Sequence, residues 1–185
     1  MTKLIDALDR ISTPRNLVIG VILAIIVVSL MGTLTQTLVY SVYGNANMPD
    51  TNFGYTFAQI QEAFETLGSE GLQAWLQVHL LDLIFPLTYA FSMTFGILME
   101  LRGTFPEKDS LRALGLLPIA AAFADYVENT LIASQAVAYP SLSPLIIGIA
   151  SYVTIFKWLL LYAGFGVVFL LLLVFVAMKL KQRSS

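Results

Sequence analysis

The chain of 185 residues is 57% hydrophobic and 12% charged, where an ordinary soluble domain carries roughly 25% charge, and its formal net charge is −2. With a mean hydropathy of +0.79 this composition excludes a water-soluble enzyme of ordinary type. With no cysteine there is no disulfide framework, thiolate metal site or cysteine nucleophile, and ten scattered basic residues do not make a nucleic-acid-binding surface.

At the start of the chain Leu4, Leu8 and Ile11 recur at i, i+4 and i+7, with Lys3, Asp6, Asp9 and Arg10 on other faces. This spacing predicts a short cytoplasmic interfacial helix within residues 1–15. Residues 17–40 form the first of four apolar stretches long enough for the ~20 residues a transmembrane helix needs; the others are 72–100, 111–139 and 144–178. The first stretch reads as a retained span rather than a cleaved signal. Asp6 and Asp9 dilute a basic n-region, and the apolar run outlasts an h-region without a clear cleavage site.

Residues 41–71 then form a long external loop, with turns at Pro49-Asp50 and Gly54-Tyr55. Within it a helix is predicted over 56–67: Thr56 caps it, Phe57, Ile60, Phe64 and Leu67 make one apolar stripe, and Gly68 ends it. The last stretch, 144–178, would measure about 50 Å at 1.5 Å per residue, against a hydrocarbon core of ~30 Å. Its first turns are therefore expected to stand outside the membrane, with Lys157 and Trp158 as interface anchors and 145–156 as a surface for the external helix. Trp75, Tyr139, Tyr152 and Trp158 fit an outer aromatic belt. The fold class is all-α: a four-transmembrane-helix antiparallel bundle with a short external amphipathic helix, in a single integral membrane domain over 1–185.

Nine of the ten basic residues (all but Lys157) lie before the first span, around the connection 102–110, or after the last span, whereas 41–81 has no Lys or Arg and carries Asp50, Glu62, Glu65 and Glu70. Retention of Lys and Arg on the cytoplasmic side predicts a multi-pass protein with both termini cytoplasmic; in a bacterium the membrane would be the cytoplasmic one.

Five ionisable residues fall inside the spans: His79, Asp82, Asp125, Glu128 and Lys157. A charge at the centre of a span costs roughly 2.5–3.5 kcal/mol, so such residues face protein or water and have partners. Helix rise places Asp82 ~30 Å from Arg102, Glu128 ~24 Å and Asp125 ~20 Å from Arg112, Lys157 ~33 Å from Lys179, and Gln36 ~31 Å from Arg15. All four spans thus bring polar groups to the outer third of the bilayer. His79, Asp82, Pro86 and Tyr89 share one helix face, as do Ala121, Ala122, Asp125, Glu128 and Asn129. Thr33 and Gln36 share a face of the first span. Pro86 removes the donor that would satisfy the Asp82 carbonyl and bends the helix there.

A structural role for this focus has Lys157 pairing with Asp82 or Glu128, or snorkelling, while Asn129 and Gln36 act as interhelical glue. A functional role makes it a cavity for a small ligand, lipid headgroup, cation or proton, or a docking point for a partner subunit. Three carboxylates against one certain cation favour a shared proton or a bound cation. A single histidine excludes a multi-histidine zinc site, and neither a metal nor a cofactor is expected. Ser92, Ser134 and Ser151 lack the context for serine hydrolysis. The expected partners are membrane lipids, with a membrane subunit or a second copy of the chain as further candidates.

Leu67, Gly68 and Gly71, then Asp82, Phe85, Pro86 and Tyr89, and later Asp125, Glu128 and Asn129 resemble a group of small four-helix integral membrane proteins with an LG..G segment, a D..FP..Y second span and a D..EN third span. The resemblance covers roughly residues 55–129 and implies no activity; where the related pattern has a basic residue after LG..G, this chain has Leu72 or Gln73. It points to Asp82, Asp125, Glu128 and Asn129. The expected function is that of a non-enzymatic membrane protein whose ligand-binding candidates are Gln36, His79, Asp82, Asp125, Glu128, Asn129 and Lys157. One alternative is a lipid-modifying enzyme, by analogy with membrane sterol isomerases, using His79 and the carboxylates as acid and base with Trp158 nearby. The other is a proton-coupled transporter, which four spans without an inverted repeat would build by oligomerisation.

Overall fold

The computed structural model describes residues 2–49 and 52–184. Asp50, half of the predicted Pro49-Asp50 turn, lies outside the described residues, as do the side chains of Lys179, Lys181 and Arg183. The described residues form helices joined by short loops, with no strand among them, in the order α1 (Thr2–Ile11), α2 (Pro14–Leu34), α3 (Phe57–His79), α4 (Phe85–Thr104), α5 (Leu117–Ala138) and α6 (Pro144–Ser184). A π-helical segment, Thr35–Tyr40, and one further turn, Ser41–Tyr43, extend α2; 3-10 turns Leu80–Leu83 and Asp109–Leu116 lead into α4 and α5. Four continuous helical stretches are long and apolar enough to cross a membrane: Pro14–Tyr43, Phe57–Thr104, Asp109–Ala138 and Pro144–Met178. They fit a polytopic membrane protein. Helix α4 packs against α2, α5 and α6, and α5 against α6.

The amphipathic first helix forms, but its inward face differs from the predicted stripe. Ile5 and Leu8 are buried against Leu98, while Leu4 and Ile11 are 52% and 46% exposed. The reason is ionic. Arg112 holds Asp6 and Asp9, each at 3.1 Å, and Arg102 approaches Asp9 at 3.6 Å and donates to the Ser12 carbonyl at 2.6 Å. Asp6 and Asp9 must face the 102–112 connection for these contacts, which turns Ile5 rather than Leu4 inward. Thr13 then caps α2 by accepting from the Asn16 amide, with Pro14 at the first helical position, three residues before the predicted start of the span.

The external helix also forms, and it is not separated from the second span by a loop. Thr56 and Gln59 make a reciprocal capping box, and the helix breaks at Gly68, whose φ of +62° suits a residue without a Cβ. The chain then resumes its helical course directly into the second span. Gly71 serves a different purpose: a Cβ there would lie 2.8 Å from that of Tyr43, so the absence of a side chain lets the end of the first span approach.

Ile60, Ala63, Phe64 and Leu67 share one core with Ile132 and Ala136 of α5 and Ile147 and Ala150 of α6, with Phe57 packed at its edge. The preceding loop continues this cover along α6. The Tyr55 amide donates to Ser151 at 2.9 Å, the Trp158 indole donates to the Asn52 carbonyl at 2.9 Å, and Phe53 stacks on Tyr162. The expected packing of the amphipathic helix on the first turns of the last span is therefore present, and the cover reaches to Tyr162. Trp75 departs from its predicted place in an aromatic belt: it is buried and stacked on His79 at 4.3 Å.

Candidate functional site

Pro86 sets the geometry of the site. Its missing N–H and its ring prevent an α-helix from running through Asp82, and the chain tightens into the 3-10 turn Leu80–Leu83 before α4 restarts at Phe85. In a 3-10 turn, residues three apart eclipse one another. His79 and Asp82 are consequently brought together, with the imidazole Nδ1 3.7 Å from an Asp82 oxygen. Across from them α5 presents its polar face, and Asn129 donates its amide to Asp82 at 3.0 Å.

Beside Asn129 on α5, Glu128 and, one turn earlier, Asp125 face Lys157 of α6. The ammonium lies 2.5 Å from Glu128 and 3.3 Å from Asp125, and the Tyr89 hydroxyl donates to the other Asp125 oxygen at 3.0 Å. Glu128 and Lys157 are 1% and 4% exposed, so this is a closed ionic centre joining the second, third and fourth spans. A pair buried so completely is held together by the cost of leaving either charge alone. When all are ionised and His79 is neutral, the carboxylates of Asp82, Asp125 and Glu128 exceed the single charge of Lys157 by two.

The cluster has two halves with different access. The Lys157 half is sealed. The other half borders a cavity of about 270 Å³ lined by His79, Asp82, Asn129, Thr130 and Tyr126 on its polar side, and Leu76, Leu80, Leu83 and Ala133 on its apolar side. Leu80 and Leu83 are exposed at its rim, and the Tyr126 hydroxyl donates to the Leu83 carbonyl, tying the 3-10 turn to α5. His79 is 9% exposed, lines this cavity, and neither ring nitrogen has a hydrogen-bond partner within the described protein. A buried polar group without a partner costs roughly 1–3 kcal/mol.

No family model, curated protein or solved structure matches the chain.

Of the seven residues expected here, His79, Asp82, Asp125, Glu128, Asn129 and Lys157 come together. Gln36 does not: it is exposed on the π-helical segment beside exposed Thr33, and none of the cluster's hydrogen bonds or ion pairs described above reaches it. The reason is one of helix rotation. Depth along a helix is set by its rise, but the direction of Gln36 is set by the packing of the first span, which turns Val39 inward instead. Tyr126, Thr130 and Trp75 belong to the site and were not among the expected residues. Tyr126 and Thr130 flank Asp125, Glu128 and Asn129 in the sequence, and Trp75 lies one turn before His79, so helical spacing carried the signal. Among the described residues no group of three His, Asp or Glu side chains is arranged to hold a metal ion.

Proposed function

We propose that the chain is a non-enzymatic multi-pass membrane protein, with both termini cytoplasmic, whose outer-leaflet cavity binds a small ligand or a lipid headgroup. The observation that carries this reading is the cavity of about 270 Å³ beside the buried Asp82 carboxylate, with His79, Asn129 and Thr130 also in its wall. The volume lies just below the roughly 300–1,000 Å³ of ordinary ligand pockets and suits a headgroup or a small molecule.

The orientation rests on the basic residues and on length. Nine of the ten lie in the segments assigned to the cytoplasmic side. The loop and the amphipathic helix cover the first turns of α6, and from Trp158 to Met178, before the basic tail, the helix measures about 31 Å, close to one hydrocarbon thickness. On this reading Lys157 sits at the outer boundary and the capped turns stand outside. Since the chain has no cysteine, single substitutions report cleanly. Asn47→Cys and Ser141→Cys are expected to react with an impermeant thiol reagent in intact cells, and Ser110→Cys only after the membrane is opened. The reverse pattern would overturn the orientation.

The functional test is to extract the protein mildly and identify by native mass spectrometry what stays bound. The wild type is expected to retain a defined lipid or small molecule in stoichiometric amount, and Asp82→Asn to lose it while remaining folded. Equal retention by both proteins, or none by either, would remove the binding site. A stoichiometric second protein would instead make the cluster a docking surface. Acid/base chemistry is the second reading, favoured by the 3.7 Å approach of His79 to Asp82. Lipid profiles unchanged by deletion and by overexpression would dispose of it.

A further inference from the structure

The first turns of α6 have two opposite faces. Ile147, Ala150, Thr154, Lys157 and Leu161 turn inward and are buried. On the reverse side Leu145, Ile149, Tyr152, Phe156 and Leu159 are exposed, Leu145 by 71% and Tyr152 by 77%. We infer that this reverse face pairs with the same face of a second copy of the chain, in a parallel α6 to α6 seam. The inference does not involve the cavity beside Asp82 and takes from the reading above only that the cap stands outside the hydrocarbon.

Lipid tails are an unsuitable cover for the upper half of this face. The amphipathic helix packs Ile60, Ala63, Phe64 and Leu67 into one core with Ile147 and Ala150, and the Tyr55 amide donates to Ser151, so the helix lies at the level of residues 147–151. Its outer side at that level carries exposed Gln61, Glu62 and Glu65. A bilayer deep enough to cover Leu145, Ile149 and Tyr152 would take those two carboxylates into hydrocarbon, where charged side chains are costly. One side of the cap is therefore built for water and the other is apolar and aromatic, which marks a protein interface.

The spacing of the face describes its partner. From Leu145 the exposed positions advance in alternating steps of four and three residues to Leu159, and the same steps lead on to Ala163, Gly166, Leu170 and Leu173, all exposed. This is a heptad stripe sustained over the four heptads from Leu145 to Leu173, with no charged residue in it. A straight helix has 3.6 residues per turn, so a stripe of period 3.5 drifts about 20° per heptad, and a left-handed winding of two helices takes up that drift. The partner must then be a helix that lies beside the span and also rises above it by the same turns. A second α6 has that length. Two copies inserted in the same direction bring their α6 helices together in parallel about a two-fold axis along the membrane normal, where each stripe residue meets its own counterpart. Such self-pairing is free of like-charge repulsion here, because Lys157 lies on the buried face and Glu62 and Glu65 lie on the far side of the cap. Ala163 and Gly166 in the middle of the stripe let the two backbones approach within the membrane.

The test uses the full chain in native membranes, where single cysteines are cross-linked with copper phenanthroline. Ile149→Cys, Tyr152→Cys and Phe156→Cys are expected to give disulfide-linked dimers. Val137→Cys on α5, at a position that is 75% exposed, and Glu62→Cys on the cap are expected to remain single chains. Native mass spectrometry of the mildly extracted wild type is expected to read two copies of the 20.3 kDa chain. Tyr152→Glu, which sets two like charges against each other at an exposed position, is expected to weaken association about a hundred-fold and to read as one copy. A wild type that reads as one copy, cross-links at Val137→Cys and Glu62→Cys as ready as those on the stripe, or a different protein bound in stoichiometric amount would each overturn the inference. Labelling of Glu62→Cys by an impermeant thiol reagent separates the two readings. If Glu62→Cys reacts and no stripe position cross-links, the cap stands outside the hydrocarbon and the pairing fails; if Glu62→Cys does not react, the cap lies in the membrane and the inference falls with it.

Discussion

Lys157→Met is expected to cost about 3–5 kcal/mol, the range for removing one partner of a buried ion pair, and to lower the unfolding midpoint by on the order of 10 °C. Methionine fills much of the same volume, so the loss would be electrostatic. Asp125 and Glu128 would face each other on successive turns of α5, both buried, with the Tyr89 hydroxyl as the remaining described partner of Asp125. The sign of the effect is set by which group is removed. A buried ion pair replaced as a whole by neutral groups is often harmless, whereas a buried pair broken on one side leaves a bare charge. The double variant Lys157→Met, Glu128→Gln is therefore expected to recover a large part of what Lys157→Met loses. Thermal unfolding of the three purified proteins checks this. If Lys157→Met is as stable as the wild type, the ammonium snorkels to the membrane boundary and the ionic centre does not hold the spans together.

Phe64→Ala is expected to destabilise by about 3–5 kcal/mol, and Phe169→Ala by no more than ~0.5 kcal/mol, although the two substitutions delete the same atoms. Phe64 is 0% exposed in the core between the amphipathic helix and the first turns of α6, with its ring edge-on to Tyr139. On the proposed orientation this core lies outside the hydrocarbon, so its burial is measured against water, and deleting the ring loses the transfer energy and opens a cavity. Phe169 is 60% exposed on the lower part of α6. In a bilayer an outward ring exchanges one apolar neighbour for another, because lipid tails are as apolar as the side chains. Denaturation of both variants in the same detergent makes the comparison. Equal costs would place the amphipathic helix in the headgroup layer, away from the protein.

The parts of the fold that depend on local chemistry were legible from the residues. Thr56 and Gly68 bound the amphipathic helix by capping and by a backbone conformation that glycine adopts freely, and both effects act within one turn of the chain. The depth of the polar residues was legible for a similar reason, since helix rise is constant. Rotation about a helix axis was less so. Asp6 and Asp9 turn α1 toward Arg102 and Arg112, which are remote in sequence, and that displaced Leu4 and Ile11 from the inward face. Gln36 fails for the same cause, its direction being fixed by what packs against Val39. Within the site, the division into a sealed ionic half and an open half was not legible. It depends on where the 3-10 turn before Pro86 places Leu80 and Leu83, and that is a matter of packing between helices.

His79 is the only histidine in the chain, so its two ring nitrogens can be followed without assignment by ¹⁵N spectroscopy of selectively labelled protein. The spectra would be recorded in nanodiscs made from native membrane lipid and again after exhaustive exchange into a phosphatidylcholine detergent. A bound partner in native lipid should give ring signals that change on exchange and return when the lipid extract is added back, with no such change in Asp82→Asn. Identical His79 signals in both environments, in wild type and variant alike, would contradict a ligand site at this cavity.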